Sequence, residues 1–240
     1  MTSQAPSSVA MGYQCGMTSQ GSQSIAIGER SGWTSQGPQS VAIGHASGHD
    51  SQGSQSVAVG YECGVVGQNT QSVAVGYQCG KTTQGKESVA IGFSAGEVSQ
   101  ADQSVAIGSN AAQSNQTSYN VAVGADAGQF GQNTTSVAVG FRAGQSGQKA
   151  LAVALGTECG YKQQGSRSVA IGFHSGHVTQ GSDSVAVGCE AGQTDQNSQS
   201  VAIGFQCGMT SQGSQSVAIG YEAGELGQNN QSVAMGYQCG

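Results

Sequence analysis

The chain has 240 residues, of which 40 are glycine, 8% are charged and 5% are aromatic. This composition excludes long amphipathic helices, because each glycine inside a helix costs about 1 kcal/mol relative to alanine, and its two prolines are too few for collagen. The net charge of −6 is opposite to the basic stripe of nucleic-acid-binding proteins, and no apolar run approaches the ~20 residues that span a bilayer. We therefore expect neither nucleic-acid binding nor membrane insertion.

One period of 16 residues organises the whole sequence. Valine or isoleucine recurs every sixteen residues from Val9 to Val233 without insertion, so that fifteen repeats account for all 240 residues. A repeat of this length is too short for a helix pair and fits one coil of a solenoid, with two short strands and two tight turns. We predict an all-β fold, a parallel β-solenoid or β-roll of fifteen 16-residue coils, which forms a single uninterrupted domain over residues 1–240.

Position 4 of the repeat, counted from Met1, is glutamine in all fifteen copies. An exposed glutamine would be replaced in some copies by glutamate, lysine or serine, so we expect a stacked, structural ladder of side-chain amides. Serine at position 8, present in thirteen copies, is expected to form a shorter ladder of the same kind. The residues proposed for the glutamine ladder are Gln20, Gln36, Gln52, Gln68, Gln84, Gln116, Gln132 and Gln196.

Positions 9 to 13 alternate between large and small side chains. Valine and isoleucine at positions 9 and 11 share one face with the frequent tyrosine or phenylalanine of position 13, while alanine at position 10 and glycine at position 12 share the other. A coil of 16 residues has little internal room, which favours the small residues inside and the aliphatic columns outside, as a face for self-association. The opposite assignment, with valine and isoleucine inside, describes a self-sufficient monomer, and alternation alone does not decide between the two. The tight-core candidates are Ala42, Ala58, Ala74, Gly44, Gly60 and Gly76, and the candidates for the association face are Val41, Ile43, Val57, Val59, Val73, Val75, Val89 and Ile91.

Glycine and small residues close each repeat. Glycine at positions 12 and 16, and the frequent glycine or asparagine at position 5, are expected where the chain turns with positive φ. Position 15 is always alanine, serine or cysteine, which indicates a small buried site. Six of the seven cysteines lie there and no Cys-x-x-Cys occurs, so we expect free buried thiols and assembly in a reducing cytoplasm.

The other polar residues do not indicate a reaction. The histidines form two close pairs, His45 with His49 and His174 with His177, for which surface variation is preferred over a transition-metal site. The acidic residues lack the spacing of a calcium loop, and a uniform solenoid offers no obvious pocket for a catalytic triad. We therefore expect no enzyme activity, no catalytic, cofactor-binding or metal-binding residues, and no cofactor.

The motif Ser-Val-Ala-Ile-Gly, as at residues 40–44 and 216–220, resembles the head repeat of YadA-type trimeric autotransporter adhesins. Similar repeats occur in fibre proteins of phages and giant viruses. The resemblance extends over every repeat and implies a left-handed parallel β-roll with three chains packed side by side. It also implies a role in adhesion to a cell-surface receptor or matrix, or as a fibre shaft.

The two ends of the sequence match its interior in phase. The run that begins at Met1 recurs at Met17 and at Met209, and the last four residues repeat those that precede Met17. We expect no distinct caps, so that the chain is a segment of a longer fibre or stacks end to end into a filament.

The expected function is that of a structural fibre shaft or surface adhesin segment. It would be extracellular, on a cell or on a virion, and would associate with itself as a trimer or a filament. The alternative is an ice-binding solenoid, because positions 2 and 3 carry Thr-Ser pairs such as Thr18 and Ser19, although Val66 and Lys162 interrupt that column.

Overall fold

The computed structural model describes residues 2–240, which form 25 short β-strands. The chain divides into two compact units, Met1–Tyr119 and Asn120–Gly240. Met1, whose match to Met17 entered the expectation about the ends, lies outside the described residues. Within residues 2–240, no helix is long and apolar enough to cross a membrane.

The strands of the first unit are β1 (Thr2–Gln4), β2 (Val9–Met11), β3 (Thr18–Gln20), β4 (Ile25–Ile27), β5 (Thr34–Gln36), β6 (Val41–Ile43), β7 (Val57–Tyr61), β8 (Val66–Gln68), β9 (Val73–Tyr77), β10 (Thr82–Gln84), β11 (Val89–Phe93), β12 (Val98–Gln100), β13 (Val105–Ile107) and β14 (Ser114–Gln116). Those of the second unit are β15 (Val121–Val123), β16 (Val137–Val139), β17 (Val153–Thr157), β18 (Lys162–Gln164), β19 (Val169–Phe173), β20 (Val178–Gln180), β21 (Val185–Cys189), β22 (Thr194–Gln196), β23 (Val201–Phe205), β24 (Val217–Tyr221) and β25 (Val233–Tyr237).

Every strand pair is parallel and joins residues sixteen apart. Val57 of β7 pairs with Val73 of β9, which pairs with Val89 of β11, and in the second unit Val153 pairs with Val169. Each coil therefore stacks on the next in exact phase with the sequence repeat. The predicted all-β parallel solenoid with a sixteen-residue coil is confirmed. Its left hand, and the single domain of fifteen repeats, stay predictions.

The two strands of a coil occupy positions 2–4 and 9–11 or 9–13. The longer strands form the more regular ladder, because they carry the β-branched residues that favour extended backbone. In some coils the shorter strand is replaced by a single β-bridge residue. Asp50 is one such residue, and it pairs with Thr34 on one side and Val66 on the other. In the second unit Ser146 likewise bridges Phe130 and Lys162.

The alanine face of the longer strands points into the coil. Ala42, Ala58 and Ala74 have no exposed surface, and Ala138 and Ala154 are equally buried in the second unit. The neighbouring valines and isoleucines are half-buried. The largest side chains that are fully buried are glutamines, so the interior is a thin layer of alanine, serine, cysteine and amide groups.

Residues other than glycine adopt the left-handed backbone conformation at three positions of most coils. Positions 3, 7 and 14 have φ near +50 to +60°, as at Thr83 (53°), Glu87 (54°) and Ser94 (50°). Glycine meets the expected positive φ at positions 12 and 16, but Gly37 at position 5 lies outside the left-handed region. The expectation for position 5 was wrong. Glycine is needed at position 5 because the backbone of the next coil approaches it closely. A Cβ on Gly37 would lie 2.6 Å from the carbonyl carbon of Gly53.

Candidate functional site

The position 4 glutamines tie the two strands of a coil together across the interior. The Gln68 amide nitrogen donates to the Val57 carbonyl at 2.9 Å, which joins β8 to β7. The same nitrogen donates to Gln84 Oε1 at 3.1 Å, and Gln68 Oε1 accepts from Gln52 at 3.1 Å. The Gln68 amide is therefore bonded both across the coil and along the stack.

The other glutamines proposed for the ladder also lie inside the coil, but the buried Oε1 atoms of Gln20 and Gln36 accept no hydrogen bond from the described residues. Gln20 and Gln36 donate to the carbonyls of Val9 and Ile25, each at 2.8 Å, and Gln84 donates to Val73 at 2.8 Å. In the second unit Gln132 donates to Gln148 at 2.9 Å, and Gln196 donates to Gln212 at 3.1 Å. Gln116 is buried, with 3% of its surface exposed.

Most position 8 serines bond within their own coil. The hydroxyls of Ser40 and Ser56 donate to the carbonyls of Gly37 and Gly53, three residues earlier, at 2.6 and 2.5 Å. The serine ladder along the stack, expected from the sequence, is therefore wrong for these coils. The hydroxyl satisfies a turn carbonyl of the type that Ser and Thr commonly bond locally.

Small polar groups at position 15 fasten one coil to the next. The thiols of Cys63 and Cys79 donate to the carbonyls of Gly76 and Gly92 at 3.1 and 2.8 Å. All seven cysteines are unpaired thiols. Burial raises the pKa of Cys159, and a hydrogen bond with Cys79 followed by burial raises that of Cys63, so neither thiol is activated as a nucleophile.

The glycines of the proposed tight core lie beside the interior. Gly44, Gly60 and Gly76 are half-buried, whereas the alanines two residues before them are fully buried. A Cβ on Gly60 would overlap the carbonyl oxygen of Gly76 in the next coil, and the φ of Gly60 is +128°. The restriction at position 12 therefore comes from stacking between coils.

The outward side of the longer strands carries regular columns of apolar side chains in the first unit. We call it the outer aliphatic face. Its residues are half-buried, except for Ile91, which is exposed. They are Val41, Ile43, Val57, Val59, Val73, Val75, Val89 and Ile91. In the second unit Val153, Leu155, Val169 and Ile171 are placed in the same way.

Rings at position 13 extend this face. His45, Tyr61, Tyr77 and Phe93, which we call the aromatic strip, stack with centroids 4.9–5.0 Å apart and ring planes within 10° of parallel. As whole residues, Tyr61, Tyr77 and Phe93 are 40–52% exposed. Flat rings beside aliphatic columns form the kind of apolar surface that marks protein interaction sites.

The histidines of the two pairs have different surroundings. His49 Nδ1 lies 3.1 Å from Asp50 Oδ1, whereas His174 and His177 both face Glu158. Burial, and then the charge of His174, lower the pKa of His177. Burial raises the pKa of Glu158, but the Arg142 hydrogen bond and the two histidines together bring it below its usual value. Glu158 was not predicted from the sequence, although it precedes His174 by one repeat, the spacing that places two side chains side by side.

Comparison with known protein families agrees with the motif. Residues 84–111 match the family model of the YadA head domain repeat, in two copies. The match contains β11 and β13, which carry two successive copies of Ser-Val-Ala-Ile-Gly at residues 88–92 and 104–108. The resemblance to the head repeats of trimeric autotransporter adhesins is confirmed for these residues. No curated protein matches the chain significantly.

Proposed function

We propose that this chain is a shaft or surface segment of an adhesive fibre, with a mechanical rather than a catalytic role. Head repeats and a solenoid fold fit an adhesin-like structural protein. The observation that carries the proposal is the outer aliphatic face with its aromatic strip, which leaves ordered apolar columns unpartnered on the first unit. Copies of the same chain are the partner that such a repeating surface fits.

The proposed assembly is a trimer with the outer aliphatic faces turned toward one another. The matched head repeats support three chains, since the family that they resemble is trimeric. The columns of valine and isoleucine on one chain can interlock with the same columns of another, because all coils share one spacing. Stacking of chains through their ends is the competing mode of self-assembly.

We further propose a location outside the cell, on a cell surface or on a virion. The seven free thiols support assembly in a reducing cytoplasm before exposure, since disulfides form and persist in oxidising compartments. A cell-surface receptor or matrix is the proposed binding partner.

The alternative, ice binding, receives less support. Its face would be built on threonine hydroxyls at position 2, but Thr18 and Thr82 donate theirs to the carbonyls of Trp33 and Glu97 in the next coil, at 3.0 and 3.2 Å. Position 2 of other repeats is occupied by Val66, which is exposed, and by Lys162, which carries a charge, so the threonine column is interrupted.

The mass of the purified chain in solution, measured by light scattering, tests the proposal. One chain has a mass of 23.9 kDa, and we expect a mass of three chains. The variants Val59→Lys and Val75→Lys place a charge on the outer aliphatic face and should reduce the mass to that of one chain. Val66→Lys and Val98→Lys make the same change on the shorter strands, at sites 46% and 42% exposed, and should leave the mass unchanged.

Two outcomes would contradict the trimer. A wild-type chain that stays monomeric at every concentration would rule out self-association. An assay of ice recrystallisation would then test the alternative. Open-ended polymers that survive Val59→Lys and Val75→Lys would favour stacking through the ends.

A further inference from the structure

Glu158, His174 and His177 converge at one turn of the second unit. Glu158 follows β17 and His174 follows β19, both at position 14 of their coils. Because Thr157 pairs with Phe173 in the parallel ladder, the next residues of the two strands lie side by side. His177 comes three residues after His174, immediately before β20, and closes the group.

The atoms that could bind a cation already face one another. Glu158 Oε2 lies 2.9 Å from His174 Nε2 and 3.4 Å from His177 Nε2. All three candidate ligand atoms lie within 4.8 Å of one another, and among residues 2–240 no other group of three such side chains meets this condition. The three side chains are 19–26% exposed, so the group is open to solvent on one side.

Neighbouring side chains hold the three ligands in these orientations. Arg142 donates to Glu158 Oε1 at 3.2 Å, which leaves Oε2 directed at the histidines. The Phe173 ring stacks on His174 at 3.9 Å, and the Tyr161 ring stacks on His177 at 4.9 Å with planes 6° apart. Outer contacts that fix ring orientation are typical of metal sites, where they reduce the freedom lost on binding.

We propose that Glu158, His174 and His177 bind a divalent transition-metal ion, with Zn²⁺ as the best fit to the donor set. Two imidazole nitrogens and one carboxylate oxygen are common zinc ligands, whereas Ca²⁺ and Mg²⁺ take oxygen ligands almost exclusively. The ion would lie between His174 Nε2 and Glu158 Oε2, and water would complete the coordination on the open side. It would join consecutive coils and so stabilise the second unit. The site is independent of the proposed self-association.

Calorimetric titration of the tag-free chain with ZnCl₂ tests this site. We expect one ion per chain and a thermal midpoint that rises with the zinc concentration. His174→Ala, His177→Ala and Glu158→Gln should each weaken binding by at least about 10–100-fold, and should abolish the zinc-dependent rise while their circular dichroism stays that of the wild type.

His49→Ala is the matched control. It removes a histidine that lies beside Asp50 but belongs to no group of three candidate ligands among the described residues, and it should bind zinc as the wild type does. Absence of zinc binding by the wild type would overturn the proposal. So would zinc binding that is as tight in His174→Ala as in the wild type, or a stoichiometry below one ion per chain.

Discussion

The buried glutamines take the place that leucine and phenylalanine hold in most globular cores. Gln68 has 1% of its surface exposed and makes hydrogen bonds in two directions, to Val57 across the coil and to Gln84 along the stack. Burial of an amide that makes no hydrogen bonds would cost roughly 1–3 kcal/mol, and the bonds of Gln68 offset that cost. Glutamine fits this place because its amide both donates and accepts, which glutamate and methionine cannot do.

Gln68→Glu tests this dependence. The ionised carboxylate cannot donate to the Val57 carbonyl and is buried without a cation, so we expect the free energy of unfolding at pH 7 to fall by roughly 3–5 kcal/mol. Gln55→Glu is the control, since the Gln55 amide bonds the Gln39 amide at 3.1 Å on the exposed surface. Urea unfolding should show a change within about 0.5 kcal/mol for the control. Equal losses in both variants would contradict a structural role specific to the buried column.

The sequence predicts the coil length and the strand pairing, because a parallel ladder cannot tolerate an insertion without losing phase. It does not determine whether Ala74 or Val75 points into the coil, because an alternating pattern fits both orientations. The narrow interior of the coil, which has room only for small side chains, decides in favour of Ala74. The sequence also predicts the wrong hydrogen-bond partner for Ser56. A carbonyl in the same turn competes with the neighbouring coil for the single hydroxyl, and the hydroxyl bonds the turn carbonyl. Glu158 could have been associated with His174 from the period alone, but the place of His177 depends on the path of the turn.

The strand β7 shows why glycine cannot be replaced at position 12. Gly60 lies inside this strand, between Val59 and Tyr61, with φ of +128°, a region that residues with a side chain rarely enter. It also stacks directly on Gly76 of β9. The ladder nevertheless continues through Gly60 to Tyr61, whose ring belongs to the aromatic strip.

Gly60→Ala should consequently be severe. Overlap with the Gly76 carbonyl oxygen adds to the backbone strain, and we expect a loss of roughly 3–5 kcal/mol. Gly67→Ala is the comparison, because the nearest atom to its added Cβ is Thr83 Cα at 3.9 Å, and its φ of +67° resembles that of Thr83 in the next coil. There the loss should be about 1 kcal/mol, as measured by thermal or urea unfolding. A Gly60→Ala variant as stable as Gly67→Ala would show that the coils can separate locally.

The turns after β7 and β9 are joined by a charged contact. Glu62 Oε2 lies 2.8 Å from Lys81 Nζ and accepts from Gln78 at 3.0 Å. The hydrogen bond from Lys81, followed by that from Gln78, holds the pKa of Glu62 below its ordinary value near 4.5. A carboxylate with a lowered folded-state pKa contributes stability that is complete above the unfolded pKa and is lost as the pH falls through the folded one.

Glu62→Gln should therefore reduce stability at pH 7 by about 0.5 kcal/mol and have no effect in strong acid. The difference between wild type and variant should shrink as the pH falls from about 4.5 into the acid range below it. Urea unfolding at neutral and acidic pH measures this difference. A constant difference at every pH would mean that the Lys81 contact does not contribute through charge.

The free energy of unfolding of each unit is approximately the sum of the intrinsic stability of each coil and of the contacts between neighbouring coils. Strands pair with those sixteen residues away, as β9 does with β7 and β11, and every coil offers nearly the same surfaces to the next. Such repeat arrays behave as one-dimensional systems, in which unfolding can begin at any weak coil. Removal of one complete coil should leave the others with equivalent neighbours.

Deletion of residues 65–80, one complete repeat, should therefore preserve the β-sheet circular dichroism and lower the unfolding midpoint only slightly. Its urea dependence should decrease with the surface lost. Deletion of residues 65–72, half a repeat, brings strands of different type into register and should unfold the first unit. Comparable stability of both deletions would contradict the one-dimensional description.

The exact phase between Val57, Val73 and Val89 also has a genetic consequence. Unequal recombination between two repeats of the gene removes or adds sixteen codons, which preserves the reading frame and the hydrogen-bond register together. Copy number can then change in a single event without an intermediate that fails to fold. Length is in this sense a heritable variable that selection can adjust separately from the chemistry of any one coil.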